Sequence, residues 1–141
     1  MTAADVDPVV AFAIEGMRPH LYPAVRLSEP KVRSVVDHFQ RSWSDFHLCA
    51  FEDGKVVGAV AAAVLEMPWF ERCEAHVVMC RSVAAGAGLR LLSSLRAWVD
   101  RDMRIRRVQW PMEFDARPGM QRVAARFGFK QQTVNCIYYK D

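Results

Sequence analysis

The period of the hydrophobic positions changes along the chain, and each change marks an element. Between residues 8 and 17 the apolar side chains Val9, Val10, Phe12, Ala13 and Met17 recur at helical spacing, with Asp7 and Pro8 placed as an N-cap and a first-turn proline. A second helix opens at Ser28-Glu29-Pro30 and carries Val32, Val35, Val36 and Phe39 on one face. The pattern then becomes strand-like over 47–52, and Asp53-Gly54 reads as a hairpin turn. A long strand rich in alanine and valine follows over 55–67, closed by Pro68. Residues 71–81 form a third strand, which runs through a turn of small residues into a helix bearing Leu89, Leu92, Leu95, Ala97 and Trp98. A strand over 104–110, a short helix over 118–126 ended by Gly128, and a last strand over 129–139 complete the chain.

Early strands joined by a tight turn pair antiparallel, whereas the later strand, helix and strand make a crossover that needs a parallel pair. The expected class is α+β, or mixed α/β: a twisted, mostly antiparallel sheet with helices on both faces. One domain over 1–141 is expected from the length. The composition, 52% hydrophobic and 25% charged, is that of a globular protein. The longest apolar run, 56–65, is half the roughly 20 residues a membrane helix needs. Residues 1–10 hold two aspartates and no basic segment of a secretory signal, so a cytoplasmic protein with no membrane partner is expected.

The net charge of +3 includes one cluster, Arg101, Arg104, Arg106 and Arg107. It could meet phosphates, or be a solvated helix end; without an aromatic platform or a recognition-helix motif, nucleic acid is not the expected partner. Cys49, Cys73, Cys80 and Cys136 lie among apolar residues with no CxxC spacing, which reads as buried reduced thiols and no metal.

The strand-to-helix turn carries the clearest functional signal. Val83, Ala84, Ala85, Gly86, Ala87 and Gly88 have small side chains where a helix start leaves backbone N–H groups without partners, the makings of an anion site. Tight packing of strand on helix also favours small residues. Neither a dinucleotide fingerprint nor a P-loop fits, since no third glycine and no Gly-Lys-Ser/Thr follow.

The Asp53-Gly54-Lys55 hairpin followed by Val57-Gly58, the strand, turn and helix over 74–92, and the closing Arg126-Phe127-Gly128-Phe129-Lys130 together resemble the GCN5-related N-acetyltransferase (GNAT) family over residues 7–141. The resemblance implies a central parallel pair that splays apart, and acetyl-CoA bound in the opening. It implies pantetheine amides paired with the backbone of Val78, Met79 and Cys80, and a pyrophosphate on the amides of residues 83–88. The chain departs from the family in three ways. Its first strand is absent or very short, Val83-Ala84 stand for a charged residue and a glycine, and Ala124 and Arg117 stand for the usual tyrosine and asparagine.

Acetyl transfer from a thioester to an amine needs a bound thioester, a base for the amine and a means of stabilising the oxyanion and thiolate, but no enzyme nucleophile. Strict alternation along 73–81 puts Glu74, His76, Val78 and Cys80 on one face and Cys73, Ala75, Val77 and Met79 on the other. Glu74 and His76 are the base candidates, with Asp115 a weaker one, and each also has a purely structural reading. Tyr138 and Tyr139 point to opposite faces of the last strand, and Tyr138 is the candidate acid. For the acceptor, the loop bearing His20 and Tyr22, and the stretch of Glu66, Trp69, Phe70 and Glu71, could form an aromatic and acidic mouth for an amine. The second stretch could equally meet another subunit of a homodimer. The expectation is an acetyl-CoA-dependent N-acetyltransferase acting on a primary amine of a small molecule or protein. The alternative is a fold of this kind kept for binding or assembly.

Overall fold

In the computed structural model, residues 2–18, 26–69, 71–111 and 118–130 are described. A 3-10 turn, Ala3–Asp5, runs directly into helix α1, Val6–Met17. Thr2 donates from its N–H and hydroxyl to Asp5 Oδ2 at 2.6 and 2.9 Å, which starts the helical path before the expected cap at Asp7. Asp7 instead lies in the first turn and accepts from Arg33 of helix α2, Glu29–Arg41, at 2.6 Å. Pro8 is tolerated there because first-turn N–H groups have no partner within the helix. In α2 the covered stripe is Val32, Val36 and Phe39; Val35, expected on the same face, is half exposed because α1 covers only that narrow stripe.

The sheet runs β1 (Phe46–Glu52), β2 (Lys55–Glu66), β3 (Cys73–Ser82) and β4 (Ile105–Gln109) in that spatial order. The first three strands are antiparallel, and β3 and β4 are parallel. Asp53 and Gly54 both take positive φ, 49° and 76°, as a two-residue hairpin with right-handed twist requires. Helix α3 (Ala87–Arg101) packs Leu91, Leu92 and Leu95 on Val60, Ala62 and Val77. Val123 and Phe127, from helix α4 (Pro118–Arg126) and its end, join the same cluster. On the opposite face Val6, Val9, Val10 and Val36 of α1 and α2 meet Cys49, Val56 and Met79.

Helix α4 ends where expected. Gly128 adopts φ +83°, and Phe129 N–H and Gly128 N–H return to the carbonyls of Ala124 and Ala125 at 3.1 and 3.0 Å. Trp110, just past β4, then meets Phe129 edge-on at 5.4 Å. The last strand expected over 129–139 lies outside the described residues beyond Lys130.

Two irregularities decide how the sheet can be used. Ala61 pairs with Met79 and Ala62 with Val77, so Val78 is an extra residue bulged out of the ladder and 54% exposed. The bulge shifts the alternation by one. Val77 and Cys80 both face α3, while Met79 faces α1, so the strict alternation expected for 73–81 holds only up to Val77. Glu74 and His76 therefore lie on the face opposite Cys80, not beside it. The second irregularity is the parallel pairing itself. It joins Cys73, Glu74, Ala75 and His76 to Ile105, Arg107, Val108 and Gln109, and stops there. Strand β3 continues for six more residues with no β4 partner among the described residues.

Removing core volume should cost accordingly: Leu95→Ala, at 2% exposure, should lose about 2–5 kcal/mol in urea unfolding. His47 on β1 supplies a pH dependence. Its Nδ1 is buried without a partner among the described residues, and burial holds its pKa below the ordinary 6.5. The folded state thus keeps the ring neutral while the unfolded chain takes up a proton near pH 6.5. Stability from this group is complete above that pH and falls as the pH drops toward the lower folded value. His47→Leu should flatten this part of the stability–pH curve; a parallel curve for the variant would contradict the assignment.

Candidate active site

The chain leaves β3 at Ser82 and reaches α3 by a turn of four residues, 83–86. Gly86, at the N-cap, takes φ +76°, a conformation that favours glycine, and a Cβ there would meet nothing within 4 Å. Val83 N–H is occupied by Val57 O at 2.9 Å, and Ala87 N–H reaches Ala84 O at 3.3 Å. The amides of Ala84, Ala85, Gly86, Gly88 and Leu89 find no backbone acceptor among the described residues. Ser82 Oγ donates to Ala84 O at 3.0 Å and fixes the turn, and Gly88 lies so close that a Cβ would sit 3.3 Å from Ser82 Cβ.

These groups border a cavity of about 280 Å³ on the α3 side of the sheet, lined by Cys80, Ser82, Ala84, Gly86, Gly88, Leu89 and Leu92, with Gly119 and Val123 of α4 opposite. Unpaired amides at one end and apolar walls along the rest suit a chain-like ligand that carries phosphate at one end. Of the residues read as cofactor-binding, Cys80, Ala84, Gly86 and Gly88 line this cavity. Ala85 and Val83 are exposed at the turn, Ala87 is buried beneath it, Val78 is at the bulge, and the Met79 side chain faces α1.

Arg81 brings no charge to the turn. Its guanidinium stacks 4.2 Å over the Phe12 ring and bonds Phe12 O and Glu15 on α1. Gly16 makes room for it, since a Cβ there would fall 2.6 Å from Arg81 Cδ. Arg90, exposed in α3, makes no ion pair among the described residues and is the nearest cation in sequence to the unpaired amides. Burial pushes the Cys80 thiol up to about 11, which removes it as a nucleophile at neutral pH.

On the opposite face Glu74 is 7% exposed and fully engaged. Its Oε1 accepts from Arg107 Nη1 at 3.2 Å, and its Oε2 from Gln109 Nε2 at 3.1 Å and His76 Nε2 at 3.3 Å. The bond with Glu74 uses Nε2 of His76 and leaves Nδ1 as the free ring nitrogen; the ring is 31% exposed. Glu74 and His76, the two base candidates, are thus brought into contact. The sequence marks Arg107 as part of a basic cluster on the expected β4 strand and does not single out Gln109. The signal for both was the polar pair at 107 and 109, two residues apart on a strand due to lie parallel to 74 and 76.

Ala124 is buried at 2% exposure and has no route to a substrate. Trp69 is 82% exposed beside exposed Glu66 and Glu71. His20, Tyr22, Phe70, Asp115, Arg117, Tyr138 and Tyr139 lie outside the described residues. A larger depression of about 590 Å³ follows the outer side of α2, but its charges are already paired: Arg33 with Asp7, Arg41 with Asp37 and His38 with Asp45. It shares no residue with the turn or with the Glu74 cluster.

The same layout recurs in solved structures. A possible acetyltransferase from Clostridium difficile 630 superposes over 100% of this chain and 94% of its own with a TM-score of 0.74 at 12% identity. The acetyltransferase of GNAT family from Streptococcus pneumoniae gives 0.70 at 16% identity, over 91% of this chain and 80% of its own. The chain has the GNAT acetyltransferase fold. An aminoglycoside N-acetyltransferase in complex with CoA is also similar, with a TM-score of 0.67 at 13% identity over 99% and 91% of the two chains. No family model and no curated protein matches the sequence.

The thiol chemistry is open to a direct check. With Cys80 and Cys49 both held up to about 11 by burial, iodoacetamide at neutral pH should alkylate them roughly a hundredfold more slowly than an ordinary thiol of pKa 9.0. Mass spectrometry over time reads the two rates, and labelling of Cys80 at the ordinary rate would contradict its burial.

Proposed function

We propose that this protein is an acetyl-CoA-dependent N-acetyltransferase that transfers an acetyl group directly to a primary amine of a small molecule or protein. The observation that carries the reading is the parting of β3 and β4, with the amide-lined cavity on one side of the sheet and the Glu74–His76 pair on the other. The amides at 84–86, 88 and 89 would hold the pyrophosphate. The unpaired edge of β3 around Val78 to Cys80 would pair with the pantetheine amides, which brings the thioester into the gap between the strands.

Acetyl-CoA supplies an activated acyl group, so the chain's own work is binding, orientation and proton transfer. His76, its Nε2–H donated to Glu74, presents Nδ1 as the base. It takes a proton from the ammonium of the acceptor, and the freed nitrogen attacks the thioester carbonyl carbon. The acylated nitrogen then gives its second proton to water, the C–S bond breaks and CoA leaves as a thiolate, which takes a proton from water or from Tyr138. Val78, bulged out of the ladder and exposed, would supply its backbone N–H to the developing oxyanion. The fold relatives include an aminoglycoside N-acetyltransferase, and Trp69 with Glu66 and Glu71 gives this chain an aromatic and acidic rim of its own for an amine.

Acetyl-CoA at 100 times its dissociation constant should stabilise the fold by about 2.7 kcal/mol and raise the melting midpoint. Gly86→Glu, which puts a carboxylate against the unpaired amides, should abolish that shift. In a thiol-release assay over an amine panel, His76→Ala should lose about 10²–10⁴-fold in kcat, the usual share of a general base, and Tyr138→Phe decides the acid. The absence of any shift with acetyl-CoA or CoA would sink the proposal. Binding without turnover of any amine would favour a fold retained for binding, a reading that buried Ala124 allows.

A further inference from the structure

We infer that Arg107 and Gln109 are positioning residues that act through Glu74 to set the tautomer and orientation of His76. The inference rests on the reading of His76 as the base. Parallel pairing puts Arg107 opposite Glu74 and Gln109 opposite His76, at the last paired positions before the strands part. Each carboxylate oxygen therefore has a donor from β4, Arg107 on Oε1 and Gln109 on Oε2, and His76 shares Oε2 with Gln109. A carboxylate at 7% exposure gripped on both oxygens cannot swing, so the imidazole bonded to it is held with Nε2 as donor and Nδ1 outward. The cross-strand neighbours on β2 are uncharged: Leu65 lies opposite Glu74 and Ala63 opposite His76.

The charge balance supports the same division of roles. Arg107, itself 49% exposed, donates to Glu74 Oε1 and makes the opposite-charged carboxylate a fixed hydrogen-bond acceptor. Two of the three bonds, from Arg107 and Gln109 to Glu74, also tie β3 to β4 at the root of the opening.

The test pairs a measurement free of turnover with one that requires it. In ¹⁵N-labelled protein the imidazole nitrogens of His76, assigned with His76→Ala, should show the Nε2–H tautomer above its titration. Arg107→Met and Gln109→Leu should each convert this to a mixture, and Arg107→Lys should restore most of it. With an acceptor identified, the two disruptive variants should lower kcat by about tenfold or more at unchanged KM for acetyl-CoA, whose cavity lies on the other face. If Arg107→Met fails to fold, Arg107→Ala, which likewise removes the donor to Glu74, serves in its place. A wild-type tautomer in both the Arg107 and Gln109 variants would overturn the inference. A tautomer that responds as expected in a protein without transferase activity would sustain the positioning and remove the proposed reaction instead.

Discussion

The structure depends on where the parallel pairing of β3 and β4 stops. Four positions are joined, and the last of them, His76 opposite Gln109, lies immediately below the point where β3 runs on without β4. A parallel pair that stayed zipped would close the sheet and separate its two faces completely. Stopping it leaves backbone donors and acceptors on β3 that would be costly to bury unsatisfied. The bulge at Val78 reinforces the parting, because an inserted residue bends and twists the strand that carries it.

The two faces then acquire different chemistry from the same strand. Before the bulge, β3 sends Glu74 and His76 away from α3; after it, β3 sends Cys80 and Ser82 toward the cavity and Arg81 toward α1. Arg81 thus anchors α1 through the Phe12 carbonyl and ring, while its neighbour Ser82 shapes the turn. Polar residues with a structural look, such as Arg81 and Ser82, fix the outer walls, and Glu74 and its partners fix the floor. Glu74, buried at 7% exposure, is tolerated there because both of its oxygens have partners.

Much of the architecture was legible in the residues. Asp53-Gly54 could only be a tight hairpin turn, Gly128 after an amphipathic stretch is a helix stop, and the small residues over 83–88 between a strand and a helix point to exposed amides. Local signals of this kind depend on a few adjacent residues. The failures share one cause, which is that they depend on a partner distant in sequence. The bulge at Val78 exists only relative to β2, so counting by twos past Val77 put Cys80 on the wrong face. The burial of Glu74 depends on donors 33 and 35 residues further on. The occupied N–H of Val83 likewise depends on the carbonyl of Val57 on another strand.

On the proposed reading, CoA would lay its phosphates and its reactive end at opposite ends of one β3 segment, with the sheet open between them. A crystal structure of the protein with CoA tests this most directly. The account predicts pyrophosphate oxygens within hydrogen-bond distance of the amides at 84–86, 88 and 89, pantetheine along the β3 edge at Val78 to Cys80, and the thiol in the gap beside His76. CoA seated in the α2 depression, or on the turn with its thiol directed away from the gap, would contradict it.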